Sequence, residues 1–77
     1  METTIGEYVF SPFEKEKLIF TEYEIMPRRL IGYYQGYELR RDFELELHGE
    51  GEETYFYWYD DDRREKKIFL KEVSLWV

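Results

Sequence analysis

The sequence predicts an all-β domain, an antiparallel meander of five or six strands that forms a small barrel or a curled sheet. Three observations predict it. Apolar and polar residues alternate along several short segments, which is the period of a half-buried strand. Gly and Pro separate these segments, and Ala, the best helix former, is absent from the 77 residues. A chain of this length forms one domain, residues 1–77.

The amino-terminal part of the chain predicts two strands and one helical turn. Residues 7–10 form the first strand. Ser11 to Glu14 have the pattern of a helix N-terminus, so one short helical turn is expected near residues 12–17. Residues 18–26 form the second strand, which ends at Pro27 because proline lacks a backbone N–H. Its apolar face consists of Ile19, Thr21, Tyr23 and Ile25.

The middle of the chain predicts a tight hairpin. Residues 28–34 form the third strand, and Gln35-Gly36 forms a two-residue turn in which Gly36 takes the positive φ that such turns need. Strand 37–47 follows. Arg41 falls in phase with the apolar residues of that strand, which predicts a bulge around it. The chain closes with a last strand over residues 66–77, on one face of which lie Phe69, Val73, Leu75 and Val77.

Residues 42–62 are the most distinctive stretch, because they hold nine carboxylates and no Lys or Arg. The segment 42–47 alternates apolar with charged side chains, and 55–59 is a run of five aromatic residues. Glycines at positions 49 and 51 turn the chain between them. Together these segments predict a hairpin with one packed face and one strongly negative face. The second strand of this hairpin carries on one face Tyr55, Tyr57 and Tyr59.

The residue types that most enzymes and metal sites need are scarce. There is no Cys and a single His, His48, which leaves neither an ordinary zinc ligand set nor a nucleophile–base pair. Asp60, Asp61 and Asp62 lack the ligand spacing and the bidentate Glu of an EF-hand loop. We therefore expect a protein that is not an enzyme and that holds no metal or cofactor.

Composition also bears on the compartment and on assembly. The absence of Cys fits a reducing cytoplasm, and the apolar runs are too short to span a membrane. Charged residues are abundant while Asn is absent and Gln occurs once, a pattern typical of thermophile proteins. Association of two copies would add burial to so small a core, so a homodimer is one expectation.

The acidic stretch favours a protein-binding function. A row of carboxylates on a rigid scaffold can imitate the phosphates of a nucleic acid and occupy a basic channel of another protein, with tyrosines as anchors. In size and composition alone, the chain resembles virus- and phage-encoded inhibitors such as anti-CRISPR and anti-restriction proteins. The leading hypothesis is therefore a viral or mobile-element inhibitor that binds a basic surface of a host nucleic-acid-binding protein. The residues predicted to contact that partner are Glu44, Glu46, Glu50, Glu52, Glu53, Asp60, Asp61, Asp62, Tyr55, Tyr57 and Tyr59.

Three other hypotheses stay open. An OB- or SH3-like barrel could bind single-stranded nucleic acid or a small ligand through its tyrosine face, with a group of arginines that neutralises phosphates. That group is Arg28, Arg29, Arg40 and Arg41. A structural subunit of a larger assembly could add an edge strand to the sheet of a partner. The acids could also serve only to keep the surface soluble.

Overall fold

The computed structural model describes residues 3–10, 15–60 and 62–76, and it confirms the antiparallel all-β fold. Two short 3₁₀ turns, Gly51–Glu53 and Leu70–Glu72, interrupt the strands. The strands of the described residues are β1 (Gly6–Val9), β2 (Lys17–Ile25), β3 (Arg28–Gln35), β4 (Arg40–Glu46), β5 (Tyr55–Tyr59), β6 (Glu65–Phe69) and β7 (Ser74–Leu75).

The strands form two sheets that pack face to face. The larger sheet has the order β4-β3-β2-β1-β7, and β5 pairs with β6 in the smaller one. Phe20 of β2 and Phe56 of β5 are both fully buried, and their ring centroids lie 6.0 Å apart across the interface. Leu18, Leu30 and Ile68 complete the fully buried set. The larger sheet stays open and curled rather than closing into a barrel, and the β5–β6 hairpin covers its concave side.

A bulge in β2 changes which residues face the core. Before the bulge the fully buried Leu18 and Phe20 face the core, so the predicted apolar face is wrong there. Beyond the bulge Tyr23 pairs with the buried Leu30 and lies on the core face, as predicted. The pairing with β3 shifts between Phe20 and Glu22. One extra residue at a bulge inverts the alternation, and therefore the residues before and after Thr21 point to opposite sides.

The predicted hairpin of residues 42–59 is also wrong. β4 pairs with β3, β5 pairs with β6, and a single bridge between His48 and Tyr55 joins the two segments. The chain does reverse at that bridge, but it crosses from one sheet to the other. The crossing lets the apolar face of β5 cover the core face of the larger sheet, where Trp58 packs against Phe43.

The connection between β3 and β4 differs from the predicted two-residue turn. It spans residues 36–39, is closed by a hydrogen bond from the Gly36 N–H to the Leu39 carbonyl, and leaves Gly36 without a positive φ. The predicted bulge at Arg41 is absent, because the β3–β4 register runs unbroken from Gln35 and Arg40 to Arg29 and Glu46. Arg41 faces inward at the rim, where its guanidinium lies 5.6 Å from the centre of the Trp58 ring and needs no kink.

The last predicted strand is two strands. The chain turns at Leu70–Glu72, where the Glu72 carboxylate accepts the Phe69 N–H at 2.9 Å, and β7 then pairs with β1 in the larger sheet. Lys15 and Glu16 are not helical. The rest of the predicted helix start, Ser11 to Glu14, lies outside the described residues, as does Val77.

Candidate functional site

The predicted partner-binding residues do not form one surface. Two glutamates lie on β4, three lie in the loop after it, and the aspartates lie at the far end of β5. Asp61 is outside the described residues. Because β5 separates the loop from the aspartates, the acidic stretch of the sequence is divided in space.

The glutamates of β4 lie on the outer face of the larger sheet. Glu44 and Glu46 are exposed, and they alternate with the half-buried Phe43 and Leu45. Arg29 of β3 partly neutralises this row, with Nη1 3.0 Å from a Glu44 carboxylate oxygen. Nη2 of the same arginine lies 2.6 Å from a Glu24 carboxylate oxygen, and this hydrogen bond is the main reason that the pKa of Arg29 is raised.

The loop after β4 extends the acidic row. Glu50, Glu52 and Glu53 are exposed around a 3₁₀ turn that Thr54 caps with a 2.8 Å hydrogen bond from its hydroxyl to the Gly51 carbonyl. Gly51 has a φ of 57°, which glycine adopts without strain. We call the set of Glu44, Glu46, Glu50, Glu52 and Glu53 the acidic edge.

Two exposed apolar residues adjoin the acidic edge. Ile25 ends β2 and Met26 lies in the turn before β3, and they are 78% and 93% exposed. Arg28 follows this turn and donates a 2.5 Å hydrogen bond to the Gly49 carbonyl, which fixes the turn beside the acidic loop. Apolar side chains rimmed by charge are typical of protein–protein contacts.

The predicted tyrosine anchors lie on the other side of the molecule. β5 packs Phe56 and Trp58 inward, so Tyr55, Tyr57 and Tyr59 line the outer face of the smaller sheet. The outer face of β4 points away from the core in the opposite direction. The tyrosines therefore do not share a surface with the β4 glutamates.

The tyrosine face carries two lysines beside its rings and one carboxylate, Glu65, opposite Tyr59. Lys67 Nζ lies 4.0 Å from the centre of the Tyr55 ring, and Lys71 Nζ lies 5.4 Å from the centre of the Phe69 ring. His48 adds a third nitrogen-bearing group, 5.5 Å from Tyr55 between ring centroids. We call the set of His48, Tyr55, Tyr57, Tyr59, Lys67, Phe69 and Lys71 the tyrosine face. The pKa of Tyr57 on this face is raised, chiefly by a hydrogen-bonding interaction with Tyr55.

The four arginines of the alternative hypothesis are also dispersed. Arg28 binds the Gly49 carbonyl, Arg29 is held by Glu24 and Glu44, and Arg40 lies over the Tyr33 ring at 3.9 Å on the outer face of the larger sheet. Arg41 lies at one end of the space between the sheets. None of them reaches the tyrosine face.

The aspartates end up beside a cleft between the two sheets. Asp60 Oδ1 accepts the Arg64 N–H at 2.8 Å and so closes the β5–β6 turn. Asp60 and Asp62 then line a cleft of about 320 Å³ together with Trp58 and Tyr34. Asp60 therefore has a structural role in the turn, and both aspartates are separated from the acidic edge.

Sequence reasoning missed two groups of residues. Ile25 and Met26 precede Pro27 at a turn, and an apolar pair at a turn is a detectable signal of an exposed contact. The grouping of Tyr34, Trp58 and Arg41 at the cleft depends on the pairing of β3 with β4 and on packing between sheets. No local pattern in the sequence reveals it.

The described residues contain no group of three or more His, Cys, Asp or Glu side chains suited to a metal ion. Nor do they contain a helix of the length and apolarity that crossing a membrane requires. Comparisons of the chain with protein-family models, with curated proteins and with solved structures give no match.

Proposed function

We propose that the protein is a non-enzymatic binding module that uses its acidic edge to engage a positively charged surface of another protein. The observation that carries the proposal is the position of the exposed Ile25 and Met26 next to the loop that bears Glu50, Glu52 and Glu53, where Arg28 joins the two segments. Carboxylates alone would suit any cation, whereas adjoining apolar side chains supply the desolvated contacts that stabilise a protein–protein interface.

The charge of the edge favours a nucleic-acid-binding protein as the partner. Glu50, Glu52 and Glu53 have no ion pair within the described residues, and the β4 glutamates are neutralised in part by Arg29. A basic channel that normally holds phosphates would attract such a row and raise the rate of association. The most concrete form of the proposal is a viral or mobile-element inhibitor in the cytoplasm of its host, as small size and a net charge of −7 suggest.

Charge reversal tests the proposal. The double variant Glu50→Lys/Glu52→Lys should lose its partner, while Glu38→Lys/Glu65→Lys, which changes the net charge equally at exposed positions elsewhere, should retain it. Met26→Ser should weaken capture without altering charge. The immobilised proteins are incubated with the heparin-binding fraction of a host-cell extract, which is enriched in nucleic-acid-binding proteins.

Competition with DNA distinguishes mimicry from nonspecific attraction. Duplex DNA should displace the captured partner from the wild-type protein if the acidic edge occupies the nucleic-acid site. Capture that survives the reversal at positions 50 and 52, or that DNA does not reduce, would contradict the proposal.

A second candidate function rests on the tyrosine face. Lys67 and Lys71 flank the half-buried rings of Tyr55 and Phe69 there, and this combination of cations with stacking surfaces suits single-stranded nucleic acid. Fluorescence anisotropy with labelled single-stranded oligonucleotides would detect such binding. Salt-sensitive binding that Lys67→Ala/Lys71→Ala abolishes, and that Lys15→Ala/Lys17→Ala preserves, would favour this function over the acidic edge.

A further inference from the structure

The cleft between the sheets has an aromatic wall. Trp58 stacks on Tyr34 with ring centroids 5.7 Å apart and planes inclined by 23°, and Phe10 lies 6.4 Å from both rings. Trp58 is only 7% exposed, so its accessible part is the edge that lines the cleft. The volume of about 320 Å³ is within the range of small-molecule sites.

Cations from three elements surround this wall. The Arg41 guanidinium lies 5.8 Å from the centre of the Tyr34 ring, and Lys66 Nζ lies 5.5 Å from the centre of the Phe10 ring. Arg64 lines the same cleft from the β5–β6 turn. The Arg64 and Lys66 side chains form no ion pair with any carboxylate of the described residues.

Two of the carboxylates at the cleft already accept hydrogen bonds from the protein. Glu16 accepts the Tyr34 hydroxyl at 2.7 Å, and Asp60 accepts the Arg64 backbone N–H at 2.8 Å. Asp62 and Glu65 remain at the rim. A cationic ligand would have to compete with Arg41 and Lys66 for the ring faces, whereas an anionic ligand can accept hydrogen bonds from Lys66.

We propose that this cleft binds a small planar aromatic compound that carries a carboxylate or a phosphate. The ring lies against Phe10 and Tyr34, where the planar Arg41 guanidinium can stack on it. The anionic group binds Lys66 and Arg64 through charge-assisted hydrogen bonds. The site is separate from the acidic edge and does not depend on the function proposed for that edge.

The intrinsic fluorescence of Trp58 tests the proposal. Trp76→Phe removes the other, exposed tryptophan and leaves a single reporter in the cleft wall. The probes are adenosine 5′-monophosphate, adenosine-5′-carboxylate, adenosine and ribose 5-phosphate, added up to millimolar concentration. We expect saturable binding of at least one of the two anionic aromatic probes, and because they share one ring, their relative affinity decides between phosphate and carboxylate.

Neighbouring basic residues provide matched controls. Arg64→Ala/Lys66→Ala should weaken binding by about tenfold or more, since charge-assisted hydrogen bonds are lost. Arg63→Ala/Lys67→Ala should retain wild-type affinity, because Lys67 points to the opposite face of β6. Circular dichroism and thermal unfolding of each variant confirm that the fold is intact.

Three outcomes would overturn the proposal. One is the absence of binding of both anionic aromatic probes at millimolar concentration. Another is equal affinity for adenosine and for both anionic probes, which would show that the anionic group is not recognised. The third is an equal loss of affinity in the two double variants, which would show a general effect of charge.

Discussion

Phe20 and Phe56 carry the contact between the two sheets. Both side chains are fully buried, and their rings meet edge to face at 6.0 Å. Phe56→Ala should destabilise the protein by about 3–5 kcal/mol, because it removes a buried ring and leaves a cavity. Urea unfolding measures this loss. Tyr59→Ala, three positions along the same strand at a 54% exposed side chain, should change stability by no more than about 0.5 kcal/mol. Equal losses in the two variants would contradict the assignment of the faces of β5.

The pKa of the Tyr57 hydroxyl provides a test of the contacts on the tyrosine face. Its pKa is raised chiefly by the interaction with Tyr55, since loss of the Tyr57 proton breaks that hydrogen bond. Tyr55→Phe should therefore lower the pKa of Tyr57 toward the ordinary tyrosine value near 10. The pKa of Tyr57 in both proteins is measured from the NMR chemical shifts of its ring carbons as a function of pH.

The sign of the effect on stability follows from the direction of this shift. A folded-state pKa above the unfolded value means that the folded protein holds the proton to higher pH. The stabilising contribution of Tyr57 is complete below about pH 10 and is lost as pH rises through the folded-state pKa. Tyr55→Phe should make alkaline unfolding begin at lower pH, whereas Tyr37→Phe, at an exposed turn residue, should not.

At the scale of single elements, the alternation of apolar and polar residues sufficed to place most strands. β1, β2 and β3 lie within a residue or so of their expected bounds, and Pro27 does follow the end of β2. Pairing was predicted less well, because it depends on contacts between distant segments. The sequence 42–59 has the local pattern of a hairpin, yet β4 pairs with β3 and β5 with β6, and Phe56 and Trp58 are buried against the larger sheet.

The dependence on contacts between distant segments also explains why the candidate site was predicted only in part. The acids of 42–53 are adjacent in the sequence and stay adjacent in the structure, because one edge strand and its loop carry them. Tyr55 to Tyr59 come next in the sequence but lie in the other sheet. Lys67 and Lys71 join them through the β5–β6 pairing, which no local pattern shows.

Gly32 tests how closely β2 and β3 approach. A Cβ at this position would overlap the backbone oxygen of Ile19, beside the bulge in β2. Gly32→Ala should therefore cost about 3 kcal/mol, the upper end of overpacking effects, because backbone cannot move as a side chain can. Gly51→Asn is the control, since its φ of 57° suits Asn and no atom lies within 4 Å. Thermal unfolding that ranks the two variants equally would contradict the close approach.

The whole molecule has an uneven charge distribution. Five exposed carboxylates lie in the acidic edge, whereas Arg41, Arg64 and Lys66 share the cleft between the sheets with Glu16, Asp60, Asp62 and Glu65. The acidic edge is therefore a region of concentrated like charge. Concentrated like charge opposes folding and favours association with an oppositely charged surface.

Salt should stabilise this protein, because it screens repulsion within the acidic edge. The Debye length falls to about 10 Å at 0.1 M ionic strength, so Tm should rise as NaCl is added to a low-salt buffer. Glu52→Gln/Glu53→Gln should raise Tm in low salt and reduce its dependence on NaCl. Glu38→Gln/Glu65→Gln removes the same charge from two exposed positions outside the edge and should have a smaller effect on both quantities. If the two double variants lose their salt dependence equally, net charge rather than the acidic edge governs the repulsion.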